Sequence, residues 1–346
     1  MATNIRCEYC GGNQIYNPNN GMLECEHCGK TTPVDFSGNK NISNIVRRYD
    51  ISYMPEPNLE ASNQYLCSSC GATIKFEDDE KKTRCPSCGD TALTRNESAM
   101  YVPDGIIPFS INKNQAIKIF RTWIQNRKFA PKNLKEMARL GKVTGLYVPV
   151  WNMNFRITGS YFANVTKLEK VGDDYITWHY PIRENIDKTF LNIMLSANKN
   201  IEDEALEGLA PYDTQKIKPY SSEYLFGFSG LNTDLNIHQK YQEEVDYKKE
   251  KLTQRISATL KEKYDSIESF NSSYTTRNES FNHIYVPVWA NHFTYNGKKY
   301  HCYINGQTGQ ATGRAPKSFW KILTLVLGIC AGFAVAAHFI IKLFFR

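Results

Sequence analysis

The chain has 346 residues, 41% hydrophobic and 22% charged, a balance that excludes a wholly disordered or collagen-like protein. Its net charge of +7 is unevenly placed: basic against acidic side chains number 10 to 14 in residues 1–104, 10 to 1 in 105–165, 15 to 20 in 166–293 and 7 to 0 in 294–346. A uniformly basic surface is thereby excluded, and the excess falls in two stretches far apart in the chain.

Met1 to Arg6 runs straight into a polar, cysteine-bearing stretch, so no secretory signal is expected. Of ten cysteines, eight fall in four Cys-x-x-Cys pairs before residue 90. Cys7, Cys10, Cys25 and Cys28 form one set and Cys67, Cys70, Cys85 and Cys88 a second, with 14 residues between the pairs of each. A two-residue gap lets both thiolates of a tight turn point at one ion, and the spacer can form the hairpin that brings the second turn opposite. Glycine follows the second cysteine of every pair (Gly11, Gly29, Gly71, Gly89), where such a turn usually requires positive φ. The pattern predicts two zinc ribbons, 1–34 and 67–97, each holding one structural Zn2+ in a closed four-sulfur site within a reducing compartment. A single iron atom fits the same ligands, while disulfides or a redox dithiol fit a doubled four-cysteine set less well. Cys302 and Cys330 read as a buried small residue and a lipid-facing one, and His27 as an exposed turn residue.

Residues 35–66, rich in Asn, Ser, Pro and charge, read as a mobile linker. A β-rich α+β domain is expected over 100–316. In it Ala116, Ile117, Phe120, Trp123 and Ile124 recur at helical spacing after a candidate cap at Asn112, predicting a helix over 113–128. Leu146 to Phe155 reads LYVPVWNMNF and Ile284 to Phe293 reads IYVPVWANHF, an internal repeat of Tyr-Val-Pro-Val-Trp. Because Pro149 and Pro287 cannot donate to a ladder, the copies are expected as edge strands or strand entries at equivalent places in one sheet system. Trp151 and Trp289 are expected in the core. Gly159 to Lys170 and Tyr175 to Ser196 alternate as strands do, with a turn at Gly172-Asp173-Asp174. Ile237, Tyr241, Val245, Leu252, Ile256 and Leu260 mark one face of a long helix, Leu235 to Tyr264, whose other face is solvated. Strands over 284–293 and 299–304 follow, and the turn-rich NGQTGQATGRAPKS leads out of the domain.

Ile322 to Ile341 contains no formal charge and is flanked by Lys321, Lys342 and Arg346 and by Phe319, Trp320, Phe344 and Phe345. As a helix it spans roughly 30 Å, the thickness of a hydrocarbon core. It is expected as a tail anchor within 319–345 that embeds 322–341 among membrane lipids. Basic residues stand on both sides and do not orient it. The thiolate sites and the lack of an export signal place the N-terminal part in the cytoplasm, on a single-pass protein of the cell membrane. His338 reads as a neutral, tolerated histidine near the interface.

There is no Gly-x-Ser-x-Gly, Walker-type loop, glycine-rich dinucleotide turn or His-Glu-x-x-His, so no enzyme is expected and no catalytic residue is assigned. The basic run 113–156 (Lys113, Lys118, Arg121, Arg127, Lys128, Lys132, Lys135, Arg139, Lys142, Arg156) is a solvated face, a contact for anionic lipid, or a nucleic-acid site. The first cysteine set carries Arg6 and Lys30 against Glu8, Glu24, Glu26 and Asp35, which disfavours nucleic-acid binding through it.

The cysteine pairs, the Ile107-Pro108-Phe109 entry, the Tyr-Val-Pro-Val-Trp copies, Pro219-Tyr220 before Leu225-Phe226-Gly227-Phe228, and Asn305-Gly306-Gln307-Thr308-Gly309 before the apolar segment together resemble a known group. It is that of bacterial membrane-anchored TFIIB-type zinc-ribbon proteins of the YdjG-like kind, often labelled primosomal or phage replication proteins. The resemblance covers essentially the whole chain. It implies a membrane adaptor working with PspA-like and SPFH-like proteins in envelope stress, and it brings no catalytic residue. Two functions are therefore carried forward: a tail-anchored adaptor, and a membrane-tethered nucleic-acid binder using 113–156.

Overall fold

The computed structural model describes residues 6–35, 47–48, 59–61, 64–69, 72–76, 85, 90–96, 99–131, 133–134 and 143–344. In chain order the main elements are β1 (Gln14–Asn17), β2 (Met22–Cys25), β3 (Gln64–Cys67), β4 (Thr73–Phe76), β5 (Gly105–Ile106) and α1 (Lys113–Gln125). There follow β6 (Val143–Val171), β7 (Asp174–Ser196), α2 (Asp203–Leu209), β8 (Ser229–Leu231) and α3 (Ile237–Lys263). Last come β9 (Ser266–Tyr295), β10 (Lys298–Asn305), β11 (Ala311–Gly313) and α4 (Phe319–Phe344).

Three long antiparallel strands organise this mixed α+β chain. β6 is the inner one, with β9 along one edge and β8 followed by β7 along the other. At its base the sheet has both faces covered. Tyr147, Tyr285 and Trp289 face α1, and Leu146, Val148, Val286 and Val288 face α2 and the stretch carrying Cys67 and Cys85. Further along, Trp151, Met153, Phe155, Ile157, Tyr161, Ala163 and Val165 occupy every second place but one on β6 and meet Ile237, Tyr241, Val245, Leu252 and Leu260 of α3. The opposite face here is open, with Arg156 paired to Asp187 and Thr158 to Thr275.

The two Tyr-Val-Pro-Val-Trp segments pair with each other, centred on Val148 opposite Val286, so that Tyr147 faces Pro287 and Pro149 faces Tyr285. Around this centre one set of contacts is made twice. β5 runs parallel to β9 at Ile284 and Tyr285, and β8 runs parallel to β6 at Leu146 and Tyr147. Trp289 Nε1 donates to the Ile111 carbonyl at 2.8 Å, next to the α1 cap Asn112; Trp151 Nε1 donates to the Leu235 carbonyl at 3.1 Å, next to the α3 cap Asn236. Gly306 N–H donates to Pro287 O while its own carbonyl accepts from Ser110 and Ile111; Ala197 N–H donates to Pro149 O while its carbonyl accepts from Asp234 and Leu235. Each half thus lends its short strand and helix entry to the other half's long strand.

Several boundaries differ from the sequence expectation. Pro149 and Pro287 lie on inner strands, not on edges. Each sits where the outer neighbour changes, from β8 to β7 beside Pro149 and from β5 to β10 beside Pro287. At such a changeover no ladder partner requires the missing N–H. The expected strands 159–170 and 284–293 are the ends of β6 and β9, and the hairpin turn is Gly172-Asp173 between Val171 and Asp174. α1 stops at Gln125, and its cap is a reciprocal box between Asn112 and Gln115. Within 35–66, described residues 47–48 pair with β9, 59–61 with Ala99–Tyr101, and 64–66 with β4. β3, β4 and Leu93–Asn96 continue the body sheet through β8. The N-terminal segment also packs on the body: Tyr16 N–H donates to the Phe226 carbonyl, and Tyr16, Leu23 and Val34 join the core under α1.

Two buried asparagines make opposite predictions. Asn305 Nδ2 donates to the Leu209 and Pro211 carbonyls, and its Oδ1 accepts from Gln307 and Thr308 N–H. Asn305→Ala strands those groups and should lower the unfolding free energy by about 3 kcal/mol or more. Among the described residues neither amide atom of buried Asn291 has a partner, so Asn291→Leu should leave stability unchanged or raise it by about 1–2 kcal/mol. Unfolding midpoints of the detergent-solubilised protein and both variants check the pair.

Candidate metal centre

The first cysteine set is built by a β-hairpin with a tight turn at each end of its ligand pattern. β1 and β2 pair from Gln14 opposite Cys25 to Asn17 opposite Met22, which carries Cys25 back beside Cys7 and Cys10. Gly11 N–H donates to Cys7 O at 2.8 Å and Gly29 N–H to Cys25 O at 2.9 Å, with Gly11 at φ 70° and Gly29 at φ 71°. That left-handed geometry is open to glycine and strained for other residues. The four sulfurs lie within 4.8 Å of one another, with Cys7 to Cys28 at 3.8 Å and Cys10 to Cys25 at 3.5 Å. A tetrahedron with Zn–S bonds of about 2.3 Å has edges of about 3.8 Å. The cluster therefore fits one ion, and an all-thiolate donor set suits zinc or a single iron.

Backbone dipoles complete the site. The Cys28 N–H, followed by that of His27, brings the Cys25 thiol down to about 6. Cys10 accepts from Gly12 N–H, yet its neighbours Cys25 and Cys28 push it up to about 12. Without metal the set thus shares its protons unequally, and loading must release them. His27 is exposed and contributes its N–H to Cys25, in keeping with its expected place in the turn. Cys7 and Cys25 are buried and Cys10 and Cys28 exposed, so the ion would sit at the rim of the hairpin with no open coordination position.

Of the second set, Cys70 and Cys88 lie outside the described residues. Cys67 and Cys85 are described and buried. One signal links the sets. In each pair the first cysteine's N–H donates to the carbonyl five residues on: Cys7 to Gly12, Cys25 to Lys30, Cys67 to Ala72 and Cys85 to Asp90. Asp90 then braces the turn, accepting from Thr91 and Ala92 N–H; the Ser69 hydroxyl first, then these amides, hold its carboxyl below the usual range. Spacing alone did not single out Asp90.

The other residues raised by the sequence separate. Trp151 and Trp289 are buried in the core, each donating to a backbone carbonyl. Cys302 is buried, which pushes its thiol well up and leaves it protonated. Cys330 and His338 are exposed on α4. That helix is long and apolar enough to cross a membrane, with mean hydropathy 2.0 over Phe319–His338 and none of that window buried. Within 113–156, Lys132, Lys135, Arg139 and Lys142 lie outside the described residues; Lys113, Lys118, Arg121, Arg127 and Lys128 are exposed on and just after α1, and Arg156 on β6 is tied to Asp187 on β7.

No protein-family model matches the chain, and no solved structure matches it. A protein of Bacillus subtilis (strain 168) named "Uncharacterized protein YdjG" is 27% identical over 347 aligned residues, covering 96% of this chain and 95% of the relative. The chain is similar to YdjG along nearly its whole length. The relative's name states no activity, so the likeness to YdjG adds kinship without a function.

Loss of one ligand should empty the first site. Cys10→Ser is expected to lower bound metal by one equivalent per chain against the parent protein, by elemental analysis of both preparations. Acidification should release the same equivalent as the sulfurs take up protons. Equal metal content in the two proteins would remove this cluster as a metal centre.

Proposed function

We propose that the chain is a membrane-anchored adaptor that holds a protein partner at the cell membrane. In this reading α4 crosses the bilayer once, residues 1–318 lie in the cytoplasm, and both cysteine sets hold structural Zn2+ as ribbons. No residue is assigned to catalysis. Closed four-sulfur sites brace a fold and leave an ion no vacancy for substrate.

The observation that carries the reading lies at the far end of β6 and β7. α3 ends beside Thr166, where Asp265 N–H donates to the Thr166 carbonyl, and β9 begins at Ser266. Beyond that point residues 167–178 continue as a hairpin of two strands with, among the described residues, neither helix nor third strand against them. Trp178 is 46% and Tyr175 65% exposed, and Leu168, Val171 and Ile176 are exposed with them. Cross-strand register places Trp178 and Ile176 on the α3 side and Leu168 and Tyr175 on the other. A two-stranded hairpin is marginal alone, and apolar groups on both its faces fit a cleft in another protein. β6 spans about 90 Å from Val143 to Val171 at roughly 3.3 Å per residue, so this tip stands far from the strand end near which α4 is rooted.

The resemblance to YdjG-like proteins implies PspA-like or SPFH-like partners in envelope stress. The runner-up, a tethered nucleic-acid binder using 113–156, has no such projecting surface in its favour among the described residues.

Affinity capture of the full-length protein from detergent-solubilised membranes tests the reading. The parent is expected to retain a stoichiometric partner, and Leu168→Ser/Ile176→Ser/Trp178→Ser to lose it at least tenfold while staying in the membrane fraction. An unchanged partner set in the triple variant would sink the hairpin as the adaptor's contact.

A further inference from the structure

The two basic stretches of the sequence, 105–165 and 294–346, are remote in the chain, and the fold joins them where α4 begins. Ser318 N–H donates to the Phe129 carbonyl at 2.8 Å, and Lys321 Nζ, on the first turn of α4, donates to the carbonyls of Ala130 at 2.7 Å and Lys128 at 3.4 Å. Ala130 and Leu134 are buried under α1, and Tyr295 at the end of β9 donates to the Asn133 side chain. The loop after α1 is therefore fixed to the body on one side and to the root of α4 on the other.

This loop and the α4 root present cations. Arg127, Lys128 and Lys317 are exposed, and among the described residues no carboxylate pairs with any of them. Arg127 is held in place by its guanidinium lying over the Trp123 ring at 4.4 Å. Beside these charges Phe129 is exposed, and Phe319 and Trp320 are 69% and 72% exposed. Exposed cations mixed with exposed aromatics at the first turn of an apolar helix match the chemistry of a headgroup layer: phosphate outside, ring-burying interface inside.

We propose that this collar binds the phosphate headgroups of anionic phospholipids in the leaflet where α4 enters. The proposal rests on α4 spanning the bilayer, as read above, and it assigns the loop a ligand of its own. Nucleic acid is a poorer fit. The collar is hydrogen-bonded to the first turn of α4, so a duplex there would lie against a leaflet of its own charge sign. Each cation near an anionic surface favours that surface about fivefold before screening.

Full-length protein reconstituted into vesicles of equal phosphatidylcholine and phosphatidylglycerol is first extracted with alkaline carbonate, then studied in nanodiscs of the same mixture by native mass spectrometry. The expected result is resistance to extraction and at least threefold retention of phosphatidylglycerol over phosphatidylcholine. Arg127→Gln/Lys128→Gln/Lys317→Gln should bring the ratio to near one, while the charge-keeping Arg127→Lys/Lys128→Arg/Lys317→Arg should preserve it. Extraction by carbonate overturns the span itself. An inserted protein with equal retention, or with enrichment that the glutamine variant leaves intact, overturns the headgroup site alone. Low-salt binding of duplex DNA by the nanodisc-held protein, lost in the glutamine variant and accompanied by equal lipid retention, reassigns the collar to nucleic acid.

Discussion

The body of this protein depends on the antiparallel pairing of two nearly identical segments, with Val148 opposite Val286. Their side chains fill the core on both faces of the sheet, and their tryptophans and proline carbonyls fix what lies around them. Through Trp289 the pairing sets the start of α1, and through Trp151 the start of α3. Through the Pro149 and Pro287 carbonyls it anchors the chain just after β7 and just after β10. A buried carbonyl left without its donor costs on the order of 1–3 kcal/mol, so four such attachments make the centre intolerant of a register slip. A shift of one residue would also turn both valine rows to the wrong face.

Much of this was legible in the sequence, for reasons particular to each element. The first cysteine set was readable because a tetrahedral ion constrains spacing tightly, and its sulfurs do converge. The helices were readable from apolar spacing, and α1 also from its cap Asn112. The long helix was expected from Leu235, but Asn236 caps it, accepting from the His238 N–H, and the helix ends fell within a few residues of expectation. The strands were harder. Asn154, Arg156 and Thr158 interleave polar groups through β6 because one face of the sheet is open, which hid how far the strand runs. The place of Pro149 and Pro287 was not legible at all, since a change of neighbour is set by β5, β8 and the strands that follow them. β5 and β8 are themselves too short to carry a periodic signal.

Charge behaves in the same non-local way. The sequence confines the basic excess to two blocks, and only the fold makes them one surface, through hydrogen bonds from Ser318 and Lys321 to the loop after α1. At the other end of the long strands the projecting hairpin is nearly balanced, with Lys167 and Lys170 beside Glu169, Asp173 and Asp174, and its exposed character is apolar. The two ends of one sheet thus offer different chemistries, electrostatic near the candidate membrane helix and hydrophobic far from it. A rigid three-stranded ribbon backed by α3 keeps them apart.

The exchange of helix entries between halves also sets a timetable for the newborn chain. β6 leaves the ribosome long before β9, its partner along one edge from Val143 to Thr166. At synthesis rates of about 5–20 residues per second the gap of nearly a hundred residues lasts roughly 5–20 s. During that interval β7 and then β8 come beside β6 and Trp151 gains Leu235, while Ile111 still waits for Trp289. The sheet closes when β9 arrives, and α4 follows within a few seconds. A nearly finished body therefore meets the apolar helix as it emerges, and the order of synthesis favours a folded body before the candidate membrane helix is complete.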